Sequence, residues 1–370
     1  MALSNKELLK RGYPPRPDPV KAPARYARWH RIVSRPFMRV HPRRVAHPDV
    51  SFSRRKQSAE IFSPTLPLPP PRRPGRVAHP ETSLSRRKLP PEIFSPTLPL
   101  PPPMARAMFN NNSNNWSGAY YQNPAAQFFW IQADWNVPGV YGWEGAPFYS
   151  AVAEWVGLDN SGTDLYQAGT DSECYVIFGW TFTNYWMWIE TLPFAPWGVP
   201  NFPVSPGDAV SVDIFVADQN GNTWFQNDSN GGLTRADNSV WFMLYNYTQG
   251  LSFWGTLPTA PQTLDGLSST GYTGSTAEFI VERPGSSGGG IFPLAFFGLA
   301  SMNNCWYGDS EYGDRAWHLG ADGSTPFVGT LTYLNMQDSS NGNLLTLPIS
   351  VPDPTSGGGY EILWFWTNFQ

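Results

Sequence analysis

The chain has 370 residues and a net charge of −4, but the charge is divided: residues 1–107 hold 22 of the 25 Lys and Arg and 6 of the 29 acids, a balance of +16, while residues 108–370 hold Arg235, Arg283, Arg315, no lysine and 23 acids, a balance of −20. No apolar run reaches the length of a membrane-spanning helix, and no P-loop, GxGxxG, HExxH or Cys/His zinc spacing occurs, which argues against membrane, nucleotide and zinc functions. The acidic part is long enough for one domain with a sizeable core.

Residues 1–107 are dominated by Pro and Arg, without apolar periodicity, and read as a disordered basic segment. The start, "MALSNKELLKRGYPPRPDPV", shows no secretory signal. "RVAHPDVSFSRRKQSAEIFSPTLPLPPP" (44–71) returns as "RVAHPETSLSRRKLPPEIFSPTLPLPPP" (76–103), a duplication whose "SPTLPLPPP" tails favour extended polyproline II. From residue 108 short apolar and aromatic runs alternate with Gly, Pro, Asn and Asp. Strands are expected at 127–135, 150–158, 209–217, 239–247, 276–282, 329–336 and 359–366. "DQNGNT" (218–223) and "SSNGN" (339–343) are hairpin signals. "FPLAFFGLASM" (292–302) is the one stretch that could hold a short helix. Residues 108–370 therefore read as an antiparallel β-sandwich or barrel.

Cys174 and Cys305 leave two readings: a disulfide closing a loop of about 130 residues, worth on the order of 4–5 kcal/mol in the chain-entropy model, or two buried free thiols. A serine triad would have to use His318, the single histidine of 108–370, and "RAWHLG" around it carries no nucleophile motif. Free carboxyl groups titrate near about pH 4, so the domain's self-repulsion relaxes in acid, and the absence of lysine leaves few ion pairs to lose there. The 17 tryptophans raise a lectin-like carbohydrate-binding module as an alternative, and Glu154 with Glu190 could be a glycosidase pair.

Seven motifs follow one another: "NNWSGAYY" (114–121), "ADWNVPG" (133–139), "AEWVGLDN" (153–160), "LYQAGTD" (165–171), "WMWIETLP" (186–193), "VSPGD" (204–208) and "STAEFIVERP" (275–284). In this order they resemble the glutamic peptidase family, the eqolisins, and "QAGT" looks closer to bacterial-type members. The resemblance implies a sandwich of two antiparallel sheets, a concanavalin-like jelly roll, with a cleft on its concave face. It implies an acid-acting endopeptidase without metal or cofactor, whose catalytic pair falls on Gln167 and Glu278. Trp155, Asp159, Asp171 and Glu190 match residues near the family's substrate cleft. Phe279 and Ile189 stand where the family has Trp and Tyr, which bears on subsite shape. Residues 285–327 align with nothing in the family and would form an inserted loop or a lid.

The chemistry implied for the pair is self-consistent. An ionised Glu278 takes a proton from water and returns it to the leaving amine, while the Gln167 amide offers an N–H to the oxyanion and a carbonyl to orient the water. Glu278 would be a partly buried base, with Phe279 in the apolar layer beneath and Glu282 a solvated surface charge. The expected partners are polypeptide substrates, not nucleic acid or membrane, and the chain is expected to be a monomer. Residues 1–107, by resemblance to the family's basic propeptides, would dock on the acidic domain and block its cleft. A disordered tail before a start at Met104 or Met108 is the other reading. An extracellular location is expected despite the unreadable signal.

Overall fold

The computed structural model describes residues 3–11, 13–17, 19–20, 23–35, 37–39, 111–122, 127–142, 146–159, 164–177, 180–218, 226–227, 233–234, 239–264, 266–285, 290–309, 316–318, 330–352 and 360–366. Its strands of seven residues or more are β1 (Trp116–Gln122), β2 (Phe128–Asn136), β3 (Tyr149–Leu158), β4 (Tyr166–Ile177), β5 (Trp180–Thr191), β6 (Trp197–Pro203) and β7 (Ala209–Ala217). They continue with β8 (Ser239–Asn246), β9 (Leu251–Pro258), β10 (Thr276–Glu282), β11 (Leu299–Asp309), β12 (Thr330–Gln337), β13 (Leu344–Pro352) and β14 (Tyr360–Trp366). The seven expected strands all form.

Hydrogen bonding joins these strands in one path, β6-β5-β4-β3-β10-β1-β12-β13-β14-β11-β2-β7-β8-β9, with every neighbour antiparallel. The sheet doubles back on itself. The Trp135 indole of β2 donates to Thr170 Oγ1 of β4 at 3.0 Å across the interior. Near the open ends, Tyr166 of β4, two strands in from β6, donates its hydroxyl to the Pro258 carbonyl of the last strand, β9, at 3.0 Å, so the sheet is nearly closed. The main core includes Val156, Ala168, Phe279, Ala119, Ala133 and Val212.

The β12–β13 turn uses "SSNGN" as expected: Gly342 takes φ 74 and donates to the Asp338 carbonyl at 2.7 Å. The other hairpin signal (218–223) lies almost wholly outside the described residues. The short helix expected within 292–302 does not form. Residues 293–295 instead extend along β3, with Ala295 N donating to Ala151 O at 3.0 Å, and β11 starts at Leu299. The apolar run has no polar face for a helix to show to water, whereas the β3 edge beyond β10 offers unpaired backbone groups. Cys174 and Cys305 are buried free thiols.

The basic segment departs from expectation in its first part. Residues Asn5–Lys10 (α1) and Pro23–Val33 (α2) are helical. Ser4 caps α1 with Glu7 in a capping box, and Leu8, Leu9, Trp29 and Ile32 are buried. Arg28 enters the outer side of β2 and β7. Its guanidinium donates to Gln132 Oε1 at 2.5 Å, Asp213 Oδ1 at 2.7 Å, Asp134 Oδ1 at 2.9 Å and Ser211 Oγ. The two carboxylates hold Arg28 firmly charged against the cost of its burial. Met38–Arg39 then adds in parallel to β9. The duplicated stretches (44–71 and 76–103) lie outside the described residues.

Replacing Arg28 with Met strands two carboxylates under α2, and the expected cost is about 3–5 kcal/mol. Denaturant unfolding measures it: a midpoint equal to the parent's would show that the arm is not fastened there.

Candidate active site

Residues opposite one another on antiparallel neighbours share a face of the sheet. The register therefore draws rows across β5, β4, β3, β10 and β1. The first row is Glu190, Gln167, Gly157, Glu278 and Tyr120. The second is Trp188, Gly169, Trp155, Ile280 and Gly118. The third is Trp186, Asp171, Ala153, Glu282 and Trp116. All lie on the face turned away from the main core. There Trp155, Trp188, Ile280, Ala153 and Leu165 form a second, smaller apolar cluster.

Glycine lets neighbours pack close on this face. Gly157 separates Gln167 from Glu278, whose backbones are two strand spacings, about 10 Å, apart. A Cβ on Gly157 would meet Leu165 Cδ1 at 2.7 Å and the Trp155 ring at 2.9 Å. A Cβ on Gly169 would sit 2.1 Å from the Glu154 carbonyl oxygen, so Trp155 can lie in close only because that position is bare.

Gln167 and Glu278 are both buried. Gln167 Nε2 donates to Glu190 Oε2, and Gln167 Oε1 has no partner. The Thr276 hydroxyl lies 3.0 Å from Glu278 Oε1 and also contacts the Asp159 carbonyl, while Glu278 Oε2 has no partner. Two bare, buried oxygens thus flank Gly157. In the third row, Glu282 accepts from the Trp155 indole at 2.7 Å and from Asn115 Nδ2 at 3.2 Å. Trp155 packs edge-on against Trp116 with centroids 5.2 Å apart.

The model of the Peptidase A4 family matches residues 114–346, more than half of the chain. The chain belongs to the peptidase A4 family. It is a glutamic-type peptidase, a hydrolase. A comparison with curated protein sequences gives no match. Among solved structures, scytalido-glutamic peptidase with a transition-state analog inhibitor is similar at 19% identity and TM-score 0.46, covering 69% of this chain and 99% of that one. SCP-B, an eqolisin in complex with the tripeptide Ala-Ile-His, aligns at 18% identity and TM-score 0.44, again over 69% and 99%. Aspergilloglutamic peptidase from Aspergillus niger aligns at 21% identity and TM-score 0.39, over 59% and 99%.

In this A4 family member the six residues singled out from the sequence do not share one environment. Gln167, Glu190 and Glu278 stand in one row, and Asp171 stands two rows along with its Oδ1 unpartnered. Trp155 is fully buried, so it is a floor and offers no surface to a substrate. Asp159 is also fully buried, at φ 91, and a substrate contact is not what its surroundings support. Its carboxylate accepts from Thr273 N at 2.5 Å and Ser275 N at 3.3 Å, stapling the loop that leads into β10. Glu282 is not the solvated charge expected at a strand end: it is largely buried and bonded to Trp155. Its spacing of four from Glu278 is the one signal the sequence offers for this. Thr276 and Gly157 become legible only with the register. Residues 293–295 lie along the β3 edge and Leu299–Asp309 is a strand of the sheet inside the family match, so the described part of 285–327 is not the inserted loop or lid expected; the side chain of His318 falls outside the described set.

The face has acids and no cation among the described residues. Arg283, next to Glu282, donates instead to the carbonyls of Phe292 at 2.9 Å and Asn114 at 3.3 Å. Burial, followed by the charge of Glu282, pushes Glu190 up to about 8 against the pull of Gln167. Burial pushes Glu278 to about 8, with the Thr276 hydrogen bond opposing. Burial lifts Glu282 to about 7 against the bonds from Trp155 and Asn115. Asp171 is raised by burial and by Glu173 and Glu282, and Glu154, on the core side, by burial alone.

These groups hold protons in the folded chain that the unfolded chain, with carboxyl pKa values near 4.3, releases. Their contribution is complete below about pH 4.5 and is lost as pH rises through 7 to 8. The melting temperature is therefore expected to be highest in acid and to fall by on the order of 10 °C by about pH 8. A thermal melt series checks this, and a melting temperature that climbs across that range would contradict it.

Proposed function

We propose that the chain is an acid-acting endopeptidase that hydrolyses polypeptide substrates with Gln167 and Glu278 as its catalytic pair. The observation that supports this best is the pair of bare, buried oxygens on either side of Gly157. Leaving a buried polar atom unsatisfied costs about 1–3 kcal/mol, and such costs persist where a water or substrate completes the bonding.

In this reading a water enters between Gln167 and Glu278 and donates to Glu278 Oε2. That bond and the one from Thr276 favour the carboxylate, so the base is generated as the site fills. Glu278 takes the water's proton as its oxygen attacks the peptide carbonyl carbon. The oxyanion is met by an N–H of Gln167. Glu278 then returns the proton to the amide nitrogen as the C–N bond breaks, and both side chains end as they began. Neither imidazole nor a metal enters a step.

The doubled sheet is read as a two-layer sandwich of jelly-roll type, with the catalytic row on the outer face of one layer. Residues 1–107 are read as a prosegment of a monomeric, extracellular enzyme. The described part of that segment is held by Arg28 on the outer side of β2 and β7. A sugar-binding module is less well supported. Trp155 and Trp188 are buried and offer no stacking platform, and Glu154 and Glu190 lie on opposite faces of the sheet.

Gln167→Glu and Glu278→Gln are each expected to lower kcat/KM for casein by roughly 10³-fold or more, since each removes a donor or the proton carrier. Melting temperature and tryptophan fluorescence report whether the fold is kept. A folded variant of either kind that cleaves at the parent's rate would overturn the pair.

A further inference from the structure

We infer that Glu190 is a positioning residue whose protonation state selects which end of the Gln167 amide faces the cleft. The inference rests on the peptidase reading above and deepens it.

Glu190 and Glu278 flank Gln167 from opposite sides of the row, with Gly157 between Gln167 and Glu278. In the structure the amide nitrogen is committed to Glu190 Oε2. The amide oxygen is therefore turned from Glu190, and it is buried without a partner. An ionised carboxylate accepts hydrogen bonds and cannot donate, so it holds the amide in this sense. A carbonyl oxygen beside a developing oxyanion sets acceptor against acceptor, the wrong polarity for catalysis.

A neutral Glu190 has one O–H to give. Donated to Gln167 Oε1, it favours a half-turn of the amide about its last side-chain bond. Both N–H donors then face the Gly157 side. No covalent bond changes, and the proton comes from solvent. The ionised form of Glu190 switches oxyanion binding off, and the neutral form switches it on.

The titratable groups on this face among the described residues are Glu278 and Tyr120 in the same row, Asp171 and Glu282 two rows along, and Glu173 three rows along with Tyr149 and Tyr175 beyond it. The charge of Glu282 reaches Glu190 and favours its neutral form, and no cation opposes it among the described residues. On the other side, β6 presents Trp197 and Gly198 and no titratable group at this level.

The test compares the pH dependence of kcat/KM in the full chain and its Glu190→Gln variant, at temperatures where both are folded. A glutamine can donate to Gln167 Oε1 at every pH. The parent is expected to lose roughly 100-fold on its alkaline side, the scale of one lost oxyanion donor. The variant is expected to keep a measurable rate there and to show no such limb. A folded variant with the parent's limb, or one inactive at every pH, would overturn the inference and leave the catalytic pair intact. Should the parent cleave nothing at any pH, the peptidase reading fails instead. Neutron diffraction of the parent, in acid and above neutrality, then still reads the amide directly. Deuterons turned from Glu190 in acid and toward it at high pH support the selection, and one orientation in both refutes it.

Discussion

The register between β3, β4 and β10 is the constraint on which the site depends. Gln167 and Glu278 come from strands more than a hundred residues apart in sequence, and both are placed by their pairing to the strand between them. A slip of one residue in either ladder would turn one of them into the core. What holds the register is the other face. Val156, Ala168 and Phe279 are neighbours in the main core, and none could take the acidic face without exposing apolar area. Asp159 adds a local lock by binding the backbone of residues 273–275 just before β10, which fixes where that strand begins.

The same layout shows what the sequence could and could not disclose. The alternation of "TAEFIVE" puts Glu278 and Glu282 on one face and Phe279 on the other, and the structure has both. It could not show that the outer face carries an apolar cluster of its own, with Trp155 and Trp188 buried and Trp116 and Trp186 packed against them. An acid beside such a face looks exposed when only its own strand is read, and this is why Glu282 reads as a surface charge and is not one. Trp155 and Asp159 lie within the right motif but point into support, because a motif marks a neighbourhood and not the direction of each side chain. The helices near the N-terminus have signals, Ser4 with Glu7 and the spaced Trp29 and Ile32, which the surrounding Pro and Arg outweigh. The 292–302 run departs from expectation for a different reason: its partner is a sheet edge supplied by residues about 140 positions earlier.

Two kinds of buried charge coexist in this domain, on two different surfaces. On the outer side of β2 and β7, Asp134 and Asp213 are matched by a guanidinium that cannot lose its proton, a fixed arrangement suited to fastening the arm. On the face of Gln167 and Glu278, Asp171, Glu190, Glu278 and Glu282 are matched only by hydroxyl, amide and indole donors. Such partners neither fix the charge nor forbid it. The first surface is built to stay ionised, and the second to exchange protons with the solvent.

That difference joins stability to chemistry. A carboxyl buried without a cation is comfortable when neutral, so each proton held on the face of Gln167 and Glu278 also holds the fold. The proposed mechanism asks one of these groups, Glu278, to give up its proton while its neighbours keep theirs. Asking all of them to ionise would place several negative charges on a few strands with no counterion, and the sheet would be driven apart. A single carboxylate, solvated by one hydroxyl and one water, is a far smaller demand. On that proposal, acid is the condition in which the fold tolerates the charge the mechanism needs, because the other carboxyls have already been silenced.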